Sequence, residues 1–359
     1  MHPTTRCVDL FCGAGGFSTG AASGGMTTVL GVDHWDNALQ VFKHNHNGAE
    51  VWLEELGTTP PDAFASRLNA HMGGRDYHLH GSPPCQAVSR YNTKARQDNK
   101  HNDMTAATMT LWFLDVVRSA QPASWSMEQV NSPVIRNALD RIQAPYVCVD
   151  FSTAFGLPQS RRRIIAGPHW LVAAVSASRA QPRFPADVLT GDLALPHGAL
   201  IQSALNNTPV RAAAPGMPKH RPVRPGEWAK HADSEPAPTV TKCPHRIVFA
   251  GTFIGTLTTR QAMALQGFPD TYTLRRADNG KAAAYAHLLV GNAVPPPVGR
   301  AIARIALSEL HGGDAVLDDE DRVIVGEGAH VQSGCLLAGE LPDEVGVGGE
   351  GVDAALGQL

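Results

Sequence analysis

Short apolar runs separated by longer stretches with a helical period mark the first half of the chain. Arg6–Phe11, Thr27–Val32, Tyr77–His80, Ser124–Met127, Tyr146–Asp150 and Arg163–Ala166 read as strands. Segments near Phe17–Ala22, Asn37–His44 and Met104–Ala120 read as helices. In the last of these, Ala107, Leu111, Leu114 and Val117 line one apolar face and Arg118 flanks it. Strands alternating with helices predict an α/β domain on a parallel sheet. The texture changes after Pro168. From there to about Gly255 the chain is rich in Pro, Ala, His and Arg with little sustained period, which predicts a separate, irregular small domain. Helical periodicity returns at Thr259–Gln266 and Pro297–Leu310. Beyond His311 the sequence is Gly-rich and acidic and reads as an accessory or disordered appendage.

Composition sharpens this in two ways. A hydrophobic content of 43% over 359 residues is ample for a packed core. The six cysteines include no C-x-x-C pair, which argues against a zinc ribbon or a disulfide scaffold and for a reducing cytoplasm. No apolar leader is evident and no run is long enough to span a bilayer. The net charge of −3 hides an asymmetry. Of 33 acidic and 30 basic residues, 11 acidic and one basic lie from Gly312 onward, leaving residues 1–311 with 22 and 29, a net of +7. A basic body with an acidic tail is compatible with nucleic-acid binding.

Three segments carry candidate chemistry. Asp9-Leu10-Phe11-Cys12-Gly13-Ala14-Gly15-Gly16-Phe17-Ser18 is a strand, a glycine turn and a helix start, and such a turn lets backbone approach a ligand closely. Asp33, at the end of the second strand, suits a ribose hydroxyl pair. Together they point to a nucleoside-bearing cofactor, and the missing third glycine and phosphate-loop lysine disfavour NAD and ATP. Gly81-Ser82-Pro83-Pro84-Cys85-Gln86 holds a thiol stiffly behind two prolines, the presentation a nucleophile needs.

In family order these segments resemble the DNA (cytosine-5)-methyltransferases. The resemblance continues through Glu128-Gln129-Val130, Gln159-Ser160-Arg161-Arg162-Arg163, Leu257-Thr258-Thr259-Arg260 to Leu265-Gln266-Gly267-Phe268-Pro269-Asp270, and Gly291-Asn292-Ala293-Val294-Pro295-Pro296. It covers about residues 6–310. It implies a Rossmann-like, S-adenosylmethionine-dependent methyltransferase sheet with helices on both faces. The catalytic domain would span 1–167 plus about 286–311. A small domain would span 168–285, with target recognition in 168–255, and the tail would be 312–359.

The implied activity is methyl transfer to carbon 5 of a cytosine flipped out of duplex DNA. Cys85 would add to carbon 6, and Glu128, kept protonated by burial, would act at ring N3. Arg163 would contact the cytosine O2 and Arg161 would hold the site together. Phe11, Gly13, Gly15, Gly16, Phe17, Asp33, His34, Trp35, Glu55, Leu56, Pro84, Asn292 and Val294 would hold S-adenosylmethionine, and no metal is implied. The loop after Cys85, with Gln86, Ser89, Arg90, Lys94, Arg96, Lys100 and His101, would close on DNA phosphates. Gln159, Lys219, Arg221, Arg224 and Lys242 would add DNA contacts. The implied setting is a bacterial or phage-infected cytoplasm, near the nucleoid. The protein would act as a monomer on double-stranded DNA, alongside a cognate restriction endonuclease, an orphan role or a phage role.

Three departures from the family pattern stand out. Gln129 replaces an Asn, moving the amide by one methylene, with looser bracing of the Pro-Cys loop and surviving activity expected. Asn102-Asp103-Met104-Thr105 stands where the family has Asp-x-Arg, and the acidic tail has no counterpart. Two alternatives remain open: a tRNA cytosine-5 methyltransferase on the same scaffold, although its Cys-Phe-Thr segment is absent, and a catalytically inactive DNA-binding paralogue.

Overall fold

The computed structural model describes residues 5–84, 99–203, 229–241, 244–274 and 282–312. The first part of the chain runs β1 (Arg6–Leu10), α1 (Gly16–Ser23), β2 (Thr27–Asp33), α2 (Asp36–Asn45), β3 (Glu50–Leu53), α3 (Pro61–Met72) and β4 (His78–Gly81). It continues through α4 (Asn99–Ala120), β5 (Ser124–Val130), α5 (Pro133–Arg141), β6 (Tyr146–Asp150), α6 (Phe151–Phe155), β7 (Arg162–Ala166) and α7 (His169–Ala177). There follow α8 (Pro185–Val188), β8 (Leu200–Gln202), β9 (Ala229–His231), β10 (Arg246–Phe249), β11 (Thr252–Thr256), α9 (Thr259–Gln266), α10 (Ala282–Asn292) and α11 (Pro296–His311).

The large sheet has strand order β3-β2-β1-β4-β5-β7-β6. All its pairings are parallel except those of β7, which runs antiparallel to β5 and β6. Strand alternation sends successive side chains to opposite faces. Val8, Leu10, Leu79 and Met127 pack with Phe64, Leu68, Phe113 and Ile135 of α3, α4 and α5. Cys7, Val147 and Ile165 pack with Phe17 of α1, Phe151 of α6, Val172 of α7 and Ile302 of α11. The chain reverses between β1 and β4, and open α/β sheets carry their sites at the C-terminal ends of the strands beside such a switch.

The expected α/β sheet with helices on both faces is present, and the differences are local. β5 continues past Met127 to Val130, so Glu128 lies within the strand rather than just beyond it. β7 begins at Arg162, so Gln159 and Arg161 sit in the approach to that strand. The helix α7 begins where the small domain was expected, yet its Leu171, Val172 and Val175 fill the large domain's core. The chain therefore leaves the large sheet after Ala177. The segments β3, α3, α5, α6 and α10 were not foreseen. β3 is a four-residue, half-exposed edge strand, too short to establish a period. The helix α3 did carry a signal: a proline in its first turn and Phe64, Ala65, Leu68 and Met72 along one buried side.

The small antiparallel sheet, order β11-β10-β8-β9, is less separate than its composition implied. Its Ile201 and Ile247, with Val240 from the connection between β9 and β10, share a core with Leu265 and Phe268 and also with Ala14, Ala38 and Val41 of the large domain. The return of the chain through α11 is fixed by backbone contact. A β-carbon on Gly20 of α1 would stand 1.9 Å from the Pro296 carbonyl oxygen. Among the described residues no helix is long and apolar enough to cross a membrane.

Candidate active site

Four strand ends converge at the switch. From β1 the chain enters a turn in which Phe11 (φ 57°), Gly13 (φ 53°) and Gly15 (φ 86°) all take left-handed backbone. Such angles cost a glycine little and strain Phe11. Phe11 packs its ring edge-on to Trp112. Asp33, at the end of β2, anchors the turn: Oδ2 accepts from the Gly13 N–H and Oδ1 from the Trp35 N–H, each at 2.9 Å. The Asp33 side chain is thus held with spare lone pairs beside the open space at Gly13, where a β-carbon would meet no atom within 4 Å.

The three turn glycines differ in what they face. At Gly15 a β-carbon would strike His46 and Phe42, and at Gly16 it would lie 2.3 Å from the Val294 carbonyl oxygen. Gly13 therefore borders open space, while Gly15 and Gly16 admit neighbouring protein. Phe17 lies beneath the turn with its ring stacked on His80 at 3.4 Å. It can serve a cofactor as a floor rather than as a contacting wall. His34 is exposed beside Asp33, and Trp35 packs edge-on to Tyr285. Glu55 is exposed, Leu56 is buried in the core and Asn292 is exposed.

The loop leaving β4 is pinned on both sides. Ser82 donates its N–H to the Leu10 carbonyl at 3.2 Å and its hydroxyl to the Phe11 carbonyl at 3.1 Å. The Pro83 carbonyl accepts from the Gln129 side-chain amide at 3.1 Å, and the same amide reaches Thr110 Oγ1 at 3.4 Å. The expected loosening by Gln129 is thus not seen at Pro83. The longer side chain is buried and keeps the brace, while its oxygen accepts from the Val130 N–H at 2.8 Å. Nothing in the one-dimensional context of Ser82 and Thr110 marks them for this role. Pro84 is exposed. Cys85, Gln86, Ser89, Arg90, Lys94, Arg96, Lys219, Arg221, Arg224 and Lys242 lie outside the described residues, as does the acidic tail.

On the far side of that loop Glu128 is nearly buried, and Arg163 Nε stands 3.0 Å from its Oε1. The approach is a close charge contact rather than a well-aligned hydrogen bond. Arg161 is buried and donates to the carbonyls of Val240 and Ala293, each at 3.2 Å, so it ties the connection between β9 and β10 to the segment before α11. Gln159 was expected at DNA. It is instead fully buried, with its amide donating to Leu265 O (2.9 Å) and Gln266 Oε1 (2.8 Å) and its oxygen accepting from Val240 N–H (2.8 Å). Both amide N–H donors are used up inside the protein, and full burial keeps the oxygen from a base.

Beneath the site runs a buried polar seam. His78 bonds Ser124 and Ser126 at 2.8 and 2.9 Å, and His80 bonds Ser126 at 2.8 Å. Burial pushes His78 down to about 3 and His80 well below the usual imidazole range. On β1, burial lifts the Asp9 carboxyl to about 7, with Asp33 adding to the rise against the opposing Ser18 hydrogen bond.

The model of the C-5 cytosine-specific DNA methylase family matches residues 5–167 and 225–307. Type II methyltransferase M1.HphI of Haemophilus parahaemolyticus is 26% identical over 334 residues, covering 84% of this chain and 86% of that protein. Type II methyltransferase M.AgeI of Thalassovita gelatinovora is 27% identical over 194 residues, 51% of this chain. The chain spans only 42% of M.AgeI and 52% of a second relative, M.HgiDI of Herpetosiphon aurantiacus. The solved structure of the S. pombe Dnmt2 methyltransferase shares the fold, with a TM-score of 0.56 at 16% identity over 86% of this chain and 99% of that one. With the family model matched over more than half of its length, the chain belongs to the C-5 cytosine-specific DNA methylases.

Proposed function

We propose that this protein methylates carbon 5 of cytosine at a specific site in double-stranded DNA, with S-adenosylmethionine as donor. The observation that carries the reading is the pinned loop after β4. Its Pro83 carbonyl is fixed by Gln129 and its Ser82 by the glycine turn, so the described part of the loop is held between the glycine turn and the strand that carries Glu128.

The residues present fit the donor: an anchored carboxylate at Asp33, open room beside the Gly13 backbone and an aromatic ring at Phe11. When bound, S-adenosylmethionine supplies an electrophilic methyl group. The protein's own part begins with the Cys85 thiolate, which forms a bond to carbon 6 as the ring's 5,6 electron pair shifts toward carbon 5. Glu128 bonds ring N3, sharing a proton with it as negative charge develops there, and so spreads that charge. Arg163 offers its fork to the O2 carbonyl. Once carbon 5 carries the methyl group, loss of its proton to a base returns the pair to the ring and expels Cys85. The base leaves the duplex for this, at an unstacking cost of about a few kcal/mol. We place target recognition in the small domain and a cognate restriction endonuclease among the partners.

Bisulfite sequencing of DNA from a methylation-free host expressing the chain tests the reading. Protected cytosines recurring in one short sequence are expected, and none with Cys85→Ser. Protection absent from DNA but methyl transfer to tRNA would replace the substrate. Tight binding to 5-fluorocytosine DNA without a covalent adduct would make the protein an inactive paralogue.

A further inference from the structure

The segment that follows α9 is bolted to the glycine turn by bonds that the reaction does not call on. The Tyr272 hydroxyl donates to the Ala14 carbonyl in the middle of the turn. The next residue, Thr273, is gripped by Asn45 at the end of α2. The Asn45 amide donates to the Thr273 carbonyl at 2.8 Å and its oxygen accepts from the Thr273 N–H at 3.0 Å. The same amide also donates to Val41 O, so Asn45 closes α2 and holds Thr273 at once. Tyr272 is buried, with its ring 4.6 Å from that of Phe268. Phe268 in turn reaches the space above Gly16. At the other end of this short stretch, Gln266 accepts from Gln159 and donates to Val290 O at 2.7 Å.

We propose that Tyr272 is a positioning residue for the donor. It fixes the Ala14 carbonyl, and so the Gly13–Gly15 backbone that borders the donor's space, from a segment whose far end holds Gln159 and through it Val240 of the small domain. The inference rests on the reading of that space as the S-adenosylmethionine site. Its physical basis is that left-handed glycines have many alternatives. A turn built from them keeps one shape only where outside bonds hold it, and a ligand meeting an unheld turn must spend binding energy to order it. Burial also drives the Tyr272 hydroxyl upward in pKa, so it remains a donor over the whole working range.

The test is calorimetric titration of the full chain with S-adenosylhomocysteine, alongside steady-state methyl transfer and thermal melting. Tyr272→Phe keeps the ring and removes only the hydroxyl. It is expected to bind S-adenosylhomocysteine roughly tenfold more weakly. The KM for S-adenosylmethionine should rise with kcat near that of the parent, and DNA affinity without cofactor should be unchanged. Asn45→Ala should move the same quantities in the same direction, and it serves if Tyr272→Phe does not fold. A lowered melting temperature with unchanged affinity in a folded variant would make Tyr272 merely structural and overturn the proposal. Absence of S-adenosylhomocysteine binding by the parent chain would overturn the reading of the pocket itself.

Discussion

The two walls of the candidate site are built by different means. The glycine-turn wall is backbone: left-handed residues, N–H groups held by Asp33, and carbonyl oxygens approaching where a side chain would stand. The wall around Glu128 is side chain: a carboxylate against a guanidinium, with Arg161 and Gln159 behind it engaged to carbonyls and amides. A backbone wall discriminates by shape and tolerates no added volume. A side-chain wall works by charge and hydrogen bonding, and it tolerates changes of size better than loss of a proton or a partner. The two therefore fail differently.

Glu128→Gln is the largest blow to the second wall. The isostere keeps the volume and can still offer an N–H, but it cannot carry the proton. A loss of about 10²- to 10⁴-fold in kcat is expected, the range for a positioned general acid, with S-adenosylhomocysteine affinity unchanged. If affinity for S-adenosylhomocysteine fell as well, the walls would not be independent. Gly16→Ala strikes the first wall. Its methyl group would meet the Val294 carbonyl oxygen at 2.3 Å, a backbone atom with no rotamer to retreat into. Overpacking of this kind costs about 1–3 kcal/mol. It should appear as a lower melting temperature and weaker S-adenosylhomocysteine binding, with DNA binding retained.

The same division governs what the sequence revealed. The backbone wall was legible because glycines and a strand-end Asp announce special geometry in one dimension. The roles within it were not, since only space tells Gly13, which faces an opening, from Gly16, which faces Val294. Glu128 and Arg163 were legible as a family pattern, and they do meet across β5 and β7. Gln159 was misplaced because a motif gives order and not direction. Its neighbours Leu265, Gln266 and Val240 come from a segment about a hundred residues on, and they capture the amide inside the protein. The small sheet was illegible for a related reason. Its three- to five-residue strands set up no period of their own, and they find their core against α2 and Ala14. Apart from the short edge strand β3, the strands of the large sheet are covered on both faces by helices and could be read from their short apolar runs.

Asp9 offers the finest test of the comparison, because it lies under the backbone wall without being part of it. Fully buried on β1, it accepts from Ser18 Oγ at 2.6 Å, and its Oδ1 has no hydrogen-bond partner among the described residues. Its carboxyl is raised from an ordinary 3.8 to about 7. A raised acid stabilises the folded state fully below its unfolded value, and that contribution drains away as pH climbs through about 7. His78 and His80 act in the opposite sense. Their folded values are depressed, so they cost stability as pH falls below about 6.5, where the unfolded imidazoles take up protons. Asp9→Asn removes only the first contribution, since Asn mimics the protonated carboxyl and still accepts from Ser18. Melting temperatures of parent and variant should therefore draw level toward pH 4, separate in the variant's favour up to about pH 7, and run parallel above it. Both curves should share the same acid limb from the histidines. Affinity for S-adenosylhomocysteine should not change, because the bonds that shape the turn run through Asp33 and not through Asp9. A gap between the melting curves that stayed constant from pH 4 to 8 would mean that Asp9 is ionised throughout. The carboxylate would then belong to the wall's own electrostatics after all.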